Sequence, residues 1–136
     1  MSVSQTTDIT RSLEICANNL GDIVPQVYQR FFQLSAPAQQ LMGHSDDQMR
    51  GRMFEQTLEL LMTDDHFGEN GYLDWELDNH LLAYQVDREM YEAFFAAITD
   101  VVREGTGDAW GTADAAAWQA RTQLILDQVY RHPGSA

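Results

Sequence analysis

Apolar residues recur at the spacing of an α-helix along nearly the whole chain, and this periodicity limits the fold more than any other feature. No segment shows the alternation of apolar and polar residues that a half-buried strand requires. Helix-capping and helix-breaking residues separate the periodic segments. The predicted helices span residues 8–21, 22–32, 37–43, 46–62, 73–80, 87–105 and 112–130. The sequence therefore predicts an all-α fold of about six to seven helices.

The length and charge of the chain limit its organisation and its partners. The chain has 136 residues, enough for one domain with a single hydrophobic core. We expect a single domain over residues 1–136, with flexible ends at 1–7 and 131–136. Lys and Arg total 8 and Asp and Glu total 21, which gives a net charge of −13. Such a charge repels phosphate backbones and anionic lipids, so we expect neither nucleic acid nor a membrane as a partner.

Three further features predict the compartment. The single cysteine, Cys16, cannot form an internal disulfide, as is usual in a reducing environment. The N-terminal segment lacks the basic region and apolar core of a secretory signal. No apolar run approaches the ~20 residues that a membrane-spanning helix needs. We therefore expect a soluble, cytoplasmic protein.

One polar residue stands on an otherwise apolar helical stripe. His80 shares this stripe with Leu73, Leu77 and Tyr84. A lone histidine on an apolar face is usually a core residue with its hydrogen bonds satisfied. A five-coordinate haem iron, however, needs one neutral imidazole on a helix, with its second nitrogen held by a hydrogen bond. His80 meets this need, and the side-chain carbonyl of Asn79 or the backbone carbonyl of Leu77 could accept that hydrogen bond.

Two residues beyond a helix break extend this hypothesis. Val86 and Tyr91 follow His80 by six and eleven positions. Both could line one face of a flat ligand that His80 holds. The sequence therefore predicts an apolar slot beside the histidine, which is what a porphyrin requires.

Three segments, in order, resemble parts of globins. HLLAYQVDREMY resembles the globin segment that carries the proximal histidine, and GDAWGTADAAAWQARTQLI resembles the final globin helix. VYQRFFQLSAPAQQLM is similar to the second globin helix and the turn after it. The resemblance covers residues 13–130 and implies a globin-like fold around a haem pocket.

The resemblance also implies roles for particular residues. Tyr28 falls where many bacterial globins have a tyrosine that donates a hydrogen bond to the gas ligand. Phe54 takes the apolar distal position, and Arg50 takes the position of the distal His or Gln. Met42 departs from the family, because globins nearly always have a phenylalanine there. The predicted haem-contacting residues are His80, Met42, Arg50, Met53, Phe54, Asn79, Tyr84, Val86 and Tyr91; the predicted gas-contacting residues are Tyr28, Arg50 and Phe54; the predicted iron ligand is His80.

Each of these residues also has a simpler interpretation. Tyr28 could bury its ring and donate to a backbone carbonyl. Arg50 could be solvated, could pair with a haem propionate, or could swing as a gate over the distal pocket. Met42 and Met53 could be flexible core fillers, with ligation of iron as a sixth ligand the less common role.

These observations lead to two functional hypotheses. The first is a haem b globin that binds O2, or NO or CO, and takes part in nitric oxide detoxification with an external reductase. The second is a sensor or interaction domain of globin fold that lacks haem or holds another flat cofactor. Met42 and Arg50 are the residues that favour the second hypothesis. The sequence leaves a homodimer open.

Overall fold

The computed structural model describes residues 3–62 and 88–131, apart from the side chains of 3–5, 129 and 131. These residues form six α-helices and one 3₁₀ turn, with no strand among them. The all-α prediction is therefore confirmed. The helices are α1 (Val3–Leu20), α2 (Val24–Leu34), α3 (Ala36–Met42), α4 (Asp47–Met62), α5 (Arg88–Thr106) and α6 (Thr112–Arg131), with the 3₁₀ turn at Gly107–Ala109.

Short polar side chains fix where the helices begin. Asp46 precedes α4, and its Oδ1 accepts a 2.7 Å hydrogen bond from the backbone N–H of Met49. Ser35 precedes α3, and its Oγ accepts a hydrogen bond of 3.2 Å from the backbone N–H of Ala38. Each bond satisfies a donor that the first turn of a helix leaves without an intrahelical partner. Pro25 lies in the first turn of α2, where its missing N–H leaves no intrahelical hydrogen bond unmade.

The observed helices differ from the predicted ones at some boundaries. α1 begins at Val3 rather than Asp8, and Thr6 in the added turn is buried, so tertiary packing extends the helix beyond its expected cap. α2 begins at Val24, because Asp22 accepts a 3.0 Å hydrogen bond from the Val24 N–H ahead of the helix. The helix predicted at 73–80 and the break near 85–86 lie outside the described residues.

α1 and α5 cross at a glycine. A Cβ atom at Gly105 would overlap Cys16 Sγ and lie 2.8 Å from Leu20 Cδ1. The side-chain amide of Asn19 donates a 2.7 Å hydrogen bond to the Gly105 carbonyl. Glycine is therefore required for the close approach of the two helices rather than for a turn.

α6 is joined to two other helices through buried polar groups. The indole N–H of Trp118 donates a 2.8 Å hydrogen bond to Ser12 Oγ on α1. The guanidinium of Arg121, only 1% exposed, donates to the Leu60 carbonyl in the last turn of α4. These contacts fix α6 against both α1 and the end of α4.

The helix that carries Tyr28, α2, contacts three other helices. α2 packs on α3, α4 and α5.

Among the described helices, none combines the length and the apolar character needed to cross a bilayer.

Candidate functional site

Tyr28 lies in the middle of an aromatic cluster between α2 and α5. Its side chain is 1% exposed. Its ring centroid lies 6.1 Å from that of Phe31, 6.0 Å from that of Phe32 and 5.6 Å from that of Phe94. The ring planes are inclined to one another at 52–67°, within the range of favourable aromatic contacts. The cluster therefore holds the Tyr28 ring in one orientation.

The Tyr28 hydroxyl points toward α4. It donates a hydrogen bond of 3.3 Å to the backbone carbonyl of Arg50. This distance exceeds the 2.5–3.0 Å that is usual for an O–H donor, so the bond is weak. Burial raises the pKa of Tyr28 to about 12, and the nearby charge of Arg50 opposes that shift. At neutral pH the phenol therefore keeps its proton and remains a donor.

The Arg50 guanidinium is bound to the turn that follows α3. Its Nε donates a 2.8 Å hydrogen bond to Ser45 Oγ, and an Nη lies 3.3 Å from the Met42 carbonyl oxygen and 3.4 Å from that of Gly43. The last carbonyls of a helix lack intrahelical partners, and a nearby cation satisfies them. Arg50 thus stabilises the C-terminal end of α3. If its side chain swung as a gate, it would have to break these hydrogen bonds.

The same guanidinium also covers two aromatic rings. Its Cζ lies 5.4 Å from the centroid of Tyr28 and 5.1 Å from that of Phe32. Both distances are within the range of cation–π attraction. One side chain therefore connects α2, α4 and the end of α3.

The other predicted residues of the described chain differ in how deeply they are buried. Phe54 is 6% exposed and belongs to the hydrophobic core. Met42 and Tyr91 are half-buried and pack against that core. Met53 is also half-buried. Among the predicted residues, Arg50 contacts both Tyr28 and the backbone carbonyl of Met42.

Part of the predicted site falls outside the described residues. His80, the predicted iron ligand, is one of these positions, and Asn79, Tyr84 and Val86 are the others. Their assignment therefore stays a prediction from the sequence.

Three residues of this region are not predicted as site residues. Phe94 contacts the Tyr28 ring, and Phe32 contacts the Arg50 guanidinium. The third is Ser45, whose hydroxyl oxygen accepts a hydrogen bond from Arg50. The helical spacing of Phe94 with Tyr91 on α5 indicates a buried face. No feature of the sequence predicts the role of Ser45, because serine is a common residue in turns.

The described residues offer little for metal or thiol chemistry. No group of three or more His, Cys, Asp or Glu side chains that could hold a metal ion occurs among them. The Cys16 thiol is buried, its Sγ lies 3.9 Å from the Val101 carbonyl oxygen, and burial raises its pKa. A protonated, inaccessible thiol is a poor ligand and a poor nucleophile.

The described residues of the predicted distal side combine a buried hydroxyl with apolar side chains. The Tyr28 hydroxyl donates to the Arg50 carbonyl, and Phe54 lies one helical turn beyond Arg50 on α4. A haem pocket uses an apolar slot with few hydrogen-bond donors on the ligand side. Tyr28 and Phe54 are side chains of these two types, and His80, the predicted iron ligand, lies outside the described residues.

Comparison with known proteins gives no match. No family model matches the chain, and neither a curated protein nor a solved structure resembles it significantly.

Proposed function

We propose that this protein is a haem-binding globin that takes up a diatomic gas, with oxygen as the principal ligand. The observation that carries the proposal is the buried Tyr28 hydroxyl, whose hydrogen bond to the Arg50 carbonyl is 3.3 Å long. A buried donor in a long bond loses little when it turns to another acceptor. The order of the three globin-like segments in the sequence supports the same proposal.

In this proposal His80 holds the iron through one imidazole nitrogen, and the Asn79 side chain accepts from the other. Haem, when bound, supplies an iron atom that takes up oxygen, nitric oxide or carbon monoxide reversibly. The side chains that would make apolar contacts to the porphyrin are Met42, Met53, Phe54, Tyr84, Val86 and Tyr91.

Tyr28 has the most specific role among the described residues. It donates a hydrogen bond to the gas ligand and slows its escape, which selects for oxygen over ligands that accept hydrogen bonds poorly. Its pKa of about 12 keeps the donor protonated across the physiological range. Phe54 excludes water from the same space, since its side chain is buried.

The proposed activity beyond binding is nitric oxide dioxygenation in the cytoplasm. Oxygen and nitric oxide combine to nitrate, and each turnover requires one electron to restore the ferrous iron. In this proposal an external reductase would supply the electron.

A hemin titration tests the proposal. The protein produced with a haem supply is expected to be red with a Soret band, and His80→Ala should alter that spectrum. Tyr28→Phe should raise the oxygen dissociation rate by about tenfold, the worth of a hydrogen bond to a charged or polarised acceptor. Tyr130→Phe is the matched control, because its hydroxyl donates to Glu92 on the surface. A colourless protein that takes up no hemin rejects the proposal, and an unchanged spectrum in His80→Ala rejects the ligand.

One observation favours a second function, that of a sensor or interaction domain without haem. The Tyr28 hydroxyl and the Arg50 guanidinium already have partners within the protein: the Arg50 carbonyl accepts from the first, and Ser45 Oγ and the Met42 carbonyl accept from the second. In a domain that never binds haem, buried polar groups would need hydrogen-bond partners within the protein, as these two groups have. The hemin titration separates the two functions, because only the first predicts saturable uptake with one haem per chain.

A further inference from the structure

Arg50 contacts Tyr28 in two ways at once. Its backbone carbonyl accepts the Tyr28 hydroxyl, and its guanidinium lies 5.4 Å above the Tyr28 ring. These two contacts act on different parts of the phenol. The carbonyl sets the direction of the O–H bond, while the cation acts on the charge of the ring.

The guanidinium is in turn fixed from outside the aromatic cluster. Ser45 Oγ and the carbonyls of Met42 and Gly43 hold three sides of it at 2.8–3.4 Å. Ser45 is itself held in place, since its hydroxyl donates to the Met42 carbonyl and its N–H donates to the same oxygen at 3.0 Å. The turn at 42–45 therefore determines where the charge above Tyr28 lies.

We propose that Arg50 is a positioning residue for the Tyr28 hydroxyl, and that it links this hydroxyl to the turn at 42–45. A change in that turn moves the guanidinium, and the position of the guanidinium changes the donor strength of the phenol. The functional consequence rests on the proposed haem function, because the donor then acts on the gas ligand.

Removal of the charge should make the Tyr28 phenol harder to ionise. Among the described residues, the charge that acts on Tyr28 is that of Arg50, and it favours the ionised form. The neighbours on α5 that face the ring, such as Phe94, are uncharged. For a half-exposed cation at this separation, the expected change in the phenol midpoint is about 0.5 to 1 pH unit.

The first experiment needs no haem. The full chain is labelled with 3-fluorotyrosine, whose phenol ionises at lower pH than tyrosine, and the ¹⁹F resonance of residue 28 is assigned by its loss in Tyr28→Phe. Arg50→Met should raise the midpoint of this resonance by about 0.5 to 1 pH unit. Ser45→Ala should raise it by a smaller amount, because one of the contacts that holds the guanidinium is lost.

Arg52→Met is the matched control, since Arg52 is exposed on the same helix two residues further on. Arg50→Lys keeps the charge and should return the midpoint close to that of the parent protein. Thermal unfolding of each variant shows that it is folded, and Arg50→Lys and Ser45→Ala remain informative if Arg50→Met does not fold. Equal midpoints for Arg50→Met and Arg52→Met would overturn the proposal. A shift in Arg50→Met without any shift in Ser45→Ala would overturn the link to the turn.

A second experiment tests the consequence in haem-loaded protein. Arg50→Met should raise the oxygen dissociation rate about 3- to 10-fold, the worth of a hydrogen bond. In a Tyr28→Phe background the same substitution should have no further effect, because a positioning residue acts only through Tyr28. An equal acceleration in both backgrounds would overturn the proposal and assign a direct ligand contact to Arg50. Absence of haem uptake would reject the proposed function and leave the ¹⁹F result to decide the Arg50–Tyr28 link.

Discussion

The indole N–H of Trp118 on α6 donates a 2.8 Å hydrogen bond to the hydroxyl oxygen of Ser12 on α1. Both side chains are buried, and the Ser12 hydroxyl in turn faces the carbonyls of Asp8 and Ile9 at 2.9 Å. Thr106 Oγ1 of α5 lies 3.2 Å from the Ser12 carbonyl oxygen, so three helices meet at this residue. The junction is a satisfied polar network within an apolar core, where the loss of one member leaves others without partners.

Ser12→Ala should therefore destabilise the protein by about 1–3 kcal/mol, because the Trp118 N–H loses its acceptor in a buried place. Urea unfolding measures the change in the free energy of unfolding. Thr57→Ala is the control, since the Thr57 hydroxyl donates to the Met53 carbonyl of its own helix and its removal strands no donor. The double variant Ser12→Ala with Trp118→Phe should lose less than the sum of the single losses. Strict additivity would contradict the account of the network.

Local signals in the sequence were sufficient for much of the fold. Asp46 predicts the start of α4 because helix capping depends on neighbouring residues alone, whereas α2 begins two residues after its predicted start at Asp22. The burial of Phe54 and Tyr28 follows from helical periodicity for the same reason. Position along a helix thus predicts which side chains are buried.

Partners across helices could not be predicted in this way. Gly105 reads as a helix stop, but it lies within α5 and allows the contact with Cys16, while Gly107, with φ +62°, follows the end of that helix. Arg50 is predicted as a distal pocket residue, and the contacts of its guanidinium with the carbonyls at the end of α3 are not predicted. Both roles depend on where a second helix lies, and no local pattern encodes that. The resemblance to globins places Tyr28 and Arg50 near each other without specifying the atoms that meet.

The contact between α6 and α4 should depend on the buried Arg121. Its Nε and Nη2 lie 3.0 Å and 2.6 Å from the Leu60 carbonyl oxygen. Arg121→Ala should cost about 3 kcal/mol, from the lost hydrogen bonds and from the cavity that the long side chain leaves. Chemical unfolding followed by circular dichroism measures the loss. Arg52→Ala on the exposed face of α4 should change the stability by no more than about 0.5 kcal/mol, and an equal effect of the two substitutions would contradict the prediction.

Two glycines in helices should respond oppositely to alanine. Gly105→Ala should destabilise the protein by about 1–3 kcal/mol, because the added methyl group overlaps Cys16 Sγ and Leu20. Gly51→Ala should stabilise it by about 0.5–1 kcal/mol, because the described residues outside its own helix turn place no atom within 4 Å of the new Cβ and alanine favours the helix. The melting temperatures of the two variants give the comparison. Cys16→Ala in the Gly105→Ala background should restore part of the loss, and a failure to do so would place the strain elsewhere.

The stability of the protein at alkaline pH should depend on Tyr28. The chain contains no lysine, so tyrosines are the main groups that titrate between pH 10 and 12. Burial raises the folded-state pKa of Tyr28 from 10.0 to about 12, which means that the folded state keeps a proton that the unfolded state releases. This contribution is fully present below pH 10 and is lost as the pH rises through 12, for a total of about 2–3 kcal/mol. Tyr28→Phe should remove that part of the pH dependence while it changes the stability at pH 7 by less than about 1 kcal/mol, since the lost hydrogen bond is long. Urea unfolding at a series of pH values from 7 to 12 measures both quantities, and parallel curves for the two proteins would show that the phenol is not buried as the structure describes.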